Sequence, residues 1–154
     1  MAIYFVACQV KIKDSEDVYT WNDIIDFGQP IVFSQDLVSL RNAVFGKVRM
    51  SEEREVGKIR LTALSLLDTT GLLDQHEKNM QYVYWACGIG DKDPDNPDIS
   101  TEGWDDHLIL DYPILSDDDL EEAEQVVCEM RGYEKVLISN MEFLIILRET
   151  TGTP

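Results

Sequence analysis

Hydrophobic and polar positions alternate along residues 2–12, with Tyr4, Val6, Cys8, Val10 and Ile12 on one side and Ile3, Phe5, Ala7, Gln9 and Lys11 on the other. This period of two predicts a β-strand, buried on both faces in its first half and on one face in its second. Asp14-Ser15-Glu16-Asp17 supplies capping residues. Val18, Trp21 and Ile25 then share a helical face, so a short helix is expected as far as Gly28, before Pro30. Ile31-Val32-Phe33 fits a short strand. Ser34 is placed to cap a helix carrying Leu37, Leu40 and Val44, ending near Gly46. Residues 48–56 read as a charged turn, Lys58–Leu67 as β-rich in its first part, and Asp68-Thr69-Thr70-Gly71 as a turn. Residues 72–79 fit either a short helix or a loop.

Tyr82–Cys87 is aromatic and β-branched, the clearest strand in the chain, and it ends at Gly88 and Gly90. Residues 91–104, with two prolines and several aspartates, read as a loop. His107–Tyr112 fits a strand. Ser116-Asp117-Asp118-Asp119 opens a helix as a capping box, with Leu120, Ala123, Val127 and Met130 as its apolar face and Gly132 as its C-cap. Lys135–Ser139 and Phe143–Leu147 then read as a hairpin joined near Asn140. No internal repeat is visible. Strands outnumber helices, and the reading is an α+β fold. It is a single domain over residues 1–154, with a mainly antiparallel sheet and two to three helices packed on it.

Composition narrows the class. At 154 residues and 44% hydrophobic, with three Trp, six Tyr and five Phe, the chain can bury a core without a disulfide or metal. Cys8, Cys87 and Cys128 lie far apart and form no CxxC pair, so free thiols in a reducing compartment are expected. The N-terminal apolar stretch lacks a basic leader region, and no run approaches the ~20 apolar residues of a membrane span. A cytoplasmic protein is expected, in a bacterial host cell if it is phage-encoded.

Charge changes the picture most. The formal net charge is −17. Asp91–Glu129 holds 15 of the 30 acidic residues and one base, Lys92, for a net of −14. Such a chain repels nucleic acid and anionic membrane, whose binding needs cations to release counterions. It attracts basic protein surfaces.

Within that stretch, acids at Asp91, Asp93, Asp95 and Glu102 fall at positions 1, 3, 5 and 12 of an EF-hand register, so a Ca²⁺ site is one candidate. Asn96 stands where such a loop needs Gly, Asp98 where it carries an apolar residue, and the preceding segment reads as strand. The alternative is a solvated acidic loop. The helix from Ser116 directs Asp117, Asp118, Glu121, Glu122 and Glu124 outward, with no lysine interleaved to relieve their repulsion. It reads either as a solvated face or as a partner-binding one. Asp105 and Asp106 lie beside Trp104, which would be an aromatic anchor in a loop unless it folds back onto the sheet. His76 and His107 lack the HxH or DxH spacing of a metal hydrolase, and Gly88-Ile89-Gly90 lacks the rest of a phosphate-binding fingerprint. No catalytic residue is assigned.

In size, charge and expected compartment the chain resembles the small acidic inhibitors of phages and mobile elements, including DNA-mimicking anti-restriction and anti-CRISPR proteins. It also resembles the acidic immunity proteins that neutralise basic nuclease toxins. The resemblance implies a non-enzymatic inhibitor that blocks a basic nucleic-acid-binding protein. No motif carries it, and it transfers no residues.

Overall fold

Residues 2–68, 80–93, 95 and 101–148 are described by the structure, a computed structural model. Within them the elements run β1 (Ile3–Ile12), β2 (Val18–Asp26), α1 (Ser34–Ser51), β3 (Val56–Asp68), β4 (Met80–Asp91), β5 (Thr101–Leu110), α2 (Asp117–Arg131) and β6 (Lys135–Arg148). The fold is α+β. Its strands form two three-stranded antiparallel sheets, ordered β2-β1-β3 and β5-β4-β6. One ββαβ unit therefore occurs twice. In each, the first strand is central, the second is its hairpin partner, and the third pairs on the far side after a helix. The repeat lies in topology and not in residue identity, which is why it does not show in the sequence.

Residues 18–26 form a strand, contrary to the helix expected there. Its Thr20, Ile24 and Ile25 are β-branched. The free edge of β1 supplies hydrogen-bond partners from Lys11↔Val18 to Ile3↔Asp26. The expected capping residues instead form the hairpin turn, with Asp14 at φ 56°, a left-handed conformation that Asp tolerates. Ile31–Phe33 is the lead-in to α1, not a strand. The Asp36 carboxylate accepts the backbone N–H groups of Val32 and Phe33 at 3.1 and 3.0 Å. The helix also runs through Gly46 to Ser51, because Val48 continues its buried stripe of Leu40 and Val44.

The expected hairpin at Asn140 is one continuous strand, β6. Against β4 its register shifts between Cys87 and Gly88 and between Val83 and Tyr84. Each bulge inserts a residue and inverts the side-chain alternation, so one strand reads as two. Residues 91–104 are likewise not all loop, since Asp91 pairs with Thr101 and Gly90 with Glu102. The acidic segment is the tip of the β4–β5 hairpin. The turn expected at residues 68–71 and the segment 72–79 lie, beyond Asp68, outside the described residues.

Two cores result. Tyr4, Val6, Cys8 and Val10 of β1 pack under Leu40, Val44 and Val48 of α1. The other face of β1, with Phe5 and Ala7, joins a larger core built from Tyr82 and Tyr84 of β4, Leu108 of β5, Leu120 and Val127 of α2, and Ile138 and Met141 of β6. Tyr84 is fully buried there, its ring edge-on to Phe143 at 5.5 Å. Its hydroxyl oxygen accepts the N–H of Ile114 at 2.9 Å. Tyr84→Phe leaves that buried N–H without its partner and is expected to cost about 1–3 kcal/mol by urea denaturation.

Candidate functional site

The acidic helix α2 is fixed at both ends. Ser116 at the N-cap accepts from the Asp119 N–H at 3.4 Å, and the Asp119 carboxylate accepts from the Leu115 N–H at 2.9 Å. Gly132 adopts φ 74° at the C-cap, and its N–H reaches the Cys128 carbonyl at 2.9 Å. Leu120, Ala123, Val127 and Cys128 are buried beneath the helix. Met130, expected on that face, is 55% exposed, and Cys128 stands in the buried stripe of the last turns instead.

The outward side carries Asp118, Glu121, Glu122 and Glu129, all exposed. Among the described residues none of these four makes an ion pair. Asp111 and Glu134, before and after the helix in the chain, are also exposed. The field of these groups registers on their neighbours. The Tyr112 hydroxyl is pushed up to about 12, by burial first and then by Glu122, Asp119 and Asp111. The Cys128 thiol is raised by burial and then by Glu124, Glu134 and Glu129.

Not every expected site residue belongs to this surface. Glu124 is half-buried between the sheets, where its carboxylate accepts from Asn22 Nδ2 at 3.2 Å and from the Ile138 N–H at 2.7 Å. Asp117 is exposed, yet it accepts the Ile24 N–H at 3.0 Å and ties the helix start to β2. Asp105 and Asp106 are neighbours in a strand, so they point to opposite faces. Asp106 pairs with Arg131 at 3.2 Å, while Asp105 lies on the outer face of the sheet with His107. Trp104 is only 5% exposed and shares the inward side of β5 with Leu108 and Leu110, so it is a core residue and not a surface anchor. Asp118, Glu121 and Glu122 remain as the convergent set. Glu129 joins them, and Asp111 and Glu134 are exposed in the segments before and after the helix. Glu129 follows Glu122 and Gln125 at helical spacing, a signal legible in the sequence. Asp111 and Glu134 carried none, because they flank the helix and do not lie on it.

Burial pushes the Glu124 carboxyl above the ordinary glutamate range, against the opposing hydrogen bonds from Ile138 and Asn22. The folded state thus holds this proton more tightly than the unfolded chain. The stability linked to it is present in full below the ordinary value of 4.5 and is lost as pH rises through the elevated folded one. Glu124→Gln keeps the group neutral throughout. Relative to the parent, its melting temperature is expected to rise with pH above ~4.5 and then level off, as read by thermal melts from about pH 4 to pH 8. A difference that stays flat across that range would refute the assignment.

The residues in calcium-loop register sit on a hairpin and not between two helices. Asp91 and Asp93 each accept the backbone N–H two residues on, at 3.0 and 3.2 Å. Glu102 takes the Tyr133 hydroxyl at 2.8 Å and lies 3.5 Å from the Lys92 ammonium, and these two contacts hold its carboxyl below the ordinary range. Among the described residues no three His, Cys, Asp or Glu side chains are arranged to hold a metal ion. Pro94, residues 96–100 and His76 lie outside the described residues.

Gly88 and Gly90 have a packing role. A methyl group on Gly88 would overlap the Leu137 carbonyl oxygen, and one on Gly90 would lie 2.5 Å from the Tyr133 ring. Cys87 and His107 both face outward on neighbouring strands, and the polar neighbour of the Cys87 thiol is the Ser139 hydroxyl at 4.0 Å. No helix among the described residues is long and apolar enough to cross a membrane.

The fold and surface together define a tandem ββαβ protein with a capped helix whose outward acids make no ion pair among the described residues. No protein-family model, curated protein or solved structure matches the chain.

Proposed function

We propose that this protein is a non-enzymatic inhibitor. It presents the outer face of α2 to an Arg/Lys-lined nucleic-acid site on another protein and excludes the nucleic acid by competition. The observation that carries the reading is the set of exposed carboxylates Asp118, Glu121, Glu122 and Glu129, without an ion pair among the described residues, on a helix held at both ends. Keeping like charges together costs stability through self-repulsion, and a basic partner offsets that cost. Along the helix axis the four acids span ~16 Å, an average of one per ~5–6 Å. A duplex strand carries one charge per ~3.4 Å. One helix thus supplies about half the linear charge density of a strand.

The partner is a basic nucleic-acid-binding protein in the cytoplasm, of the kind that phage anti-restriction and anti-CRISPR inhibitors block. A basic nuclease toxin neutralised by an immunity protein would engage the same surface. Immobilised protein is expected to retain basic proteins from a nuclease-treated bacterial lysate. They should be released by salt and displaced by added DNA. Retention that ignores salt and DNA would overturn the proposal. Calorimetric titration with Ca²⁺ separates the Asp91–Glu102 metal reading, and it is expected to give no binding heat because the Asp91, Asp93 and Glu102 carboxylates are engaged by neighbouring groups of the hairpin and of Tyr133.

A further inference from the structure

β3 is an edge strand. Among the described residues only β1 pairs with it, and its other side presents a row of backbone N–H and C=O groups. That edge lies open beside α1. Leu37 and Arg41 of α1 and residues 60–64 of β3 line a cavity of about 390 Å³. Arg41, Phe45 and Arg49 of α1 and residues 56–59 of β3 line a second, of about 290 Å³. Successive strand side chains point to opposite faces, so unbroken runs of β3 line these cavities through the backbone edge. Arg41 borders both, which makes them one groove along that edge. Between its bulges β3 keeps regular register over Lys58–Leu61 and Ala63–Leu66, and each run offers a regular ladder edge.

The groove is cationic in an acidic chain. Residues 1–68 hold eight of the 13 basic residues. Lys13, Lys47 and Arg54 are held in ion pairs. Arg41, Arg49, Lys58 and Arg60 are exposed and make no ion pair among the described residues. They flank the edge on both sides. Arg41 and Arg49 stand on α1 with Phe45 between them at helical spacing, while Lys58 and Arg60 lie opposite Lys11 and Gln9, on the face away from α1. Cations on an edge strand discourage pairing with a second copy, whose β3 carries the same charges. That role needs charge on the strand alone. Arginines on the facing helix favour an occupant that is itself negative. Toward the other end of the groove Leu37, Leu61 and Leu64 form an apolar floor, and Leu64 is 38% exposed.

We propose that β3 takes an extended acidic segment of a partner protein as a fourth strand of the first sheet. The backbone of the segment hydrogen-bonds the edge, its carboxylates meet Arg41, Arg49, Lys58 and Arg60, and an apolar side chain seats against Leu37 and Leu64. Every strand pair among the described residues is antiparallel. Antiparallel addition places the apolar residues of the segment before its acidic ones. Nucleic acid brings the charge but not the backbone donors and acceptors of a strand. The groove lies on the other unit from α2 and does not depend on the inhibitor reading.

Fluorescence anisotropy with a labelled ten-residue peptide tests this, its first five residues alternating valine and threonine and its last five glutamate. In ~0.1 M salt the full chain is expected to give a saturable rise below ~0.1 mM protein. Amide exchange at residues 57–64 should slow in the complex. A fully N-methylated analogue should not bind. Arg41→Glu with Arg49→Glu, and separately Lys58→Glu with Arg60→Glu, should each weaken binding at least about tenfold with an unchanged circular dichroism spectrum. Arg41→Gln with Arg49→Gln should act in the same direction if the reversals perturb folding. No saturable rise, equal binding of the N-methylated analogue or of an oligothymidylate of the same charge, or affinity unchanged in all three double variants overturns the inference. Reversing Asp118, Glu121 and Glu122 should not weaken peptide binding, so failure here and failure of the inhibitor reading are separable.

Discussion

Replacing Asp118, Glu121 and Glu122 together by lysine is expected to weaken association with a basic partner at least about a hundredfold. Each exposed ion pair contributes about 0.2–1 kcal/mol, and reversal replaces an attraction with a repulsion. Three such changes on one face thus give about 3–4 kcal/mol, or a factor of about 10²–10³ in Kd. Most of the loss in a steered encounter should fall on the association rate and flatten its salt dependence. The fold should tolerate the change, because these side chains point into water and make no ion pair among the described residues. Asp118 gives up a favourable position in the first turn, worth about 0.3–1 kcal/mol. Glu121 and Glu122 leave a crowded acidic face, which offsets part of that. The decisive control is an equal change in net charge elsewhere. Glu16, Glu53 and Glu142 are exposed on other faces of the molecule. If their reversal weakens binding as strongly as the α2 reversal, bulk charge and not the helix face is responsible, and the inhibitor reading fails.

Gly88→Ala is expected to destabilise the protein by about 3–5 kcal/mol, a large share of a typical domain's total. The added methyl would overlap the Leu137 carbonyl oxygen and lie 3.0 Å from its carbon and 3.1 Å from the Ile138 Cα. All three are backbone atoms of the neighbouring strand, so no side-chain rotation relieves the contact. Relief requires β6 to move away from β4 at the bulge, where Cys87 pairs with Asn140 and Gly88 with Ile138. Ile138 and Met141 are fully buried on either side of that point. Gly46→Ala is the matched contrast. An added methyl there meets nothing within 4 Å, and the residue lies inside α1. Alanine at that site should stabilise the helix by about 0.5–1 kcal/mol. Urea denaturation of the two variants should therefore move the midpoint in opposite directions.

The sequence by itself determined what is local. The alternation of β1, the aromatic strand β4, the cap at Ser116 and Gly132, the stripe of Leu120, Ala123 and Val127, and the crowding of acids into residues 91–129 were all legible, because period, capping chemistry and charge depend on near neighbours. The tertiary structure decided everything that depends on distant pairing. Residues 18–26 became a strand because the edge of β1 was available to them. Bulges in β6 inverted its alternation and disguised one strand as two. The acidic helix looked uniform in sequence, but contacts with β2 and β6 divided it. Asp117 and Glu124 tie the helix to the sheets, while Asp118, Glu121, Glu122 and Glu129 make no ion pair among the described residues. Trp104 went into the core because the register of β5 against β4 places even-numbered residues inward. Local pattern sets which face of an element is apolar. Only the register between strands sets which face meets another element, and therefore which charges and which apolar surface are left for a partner.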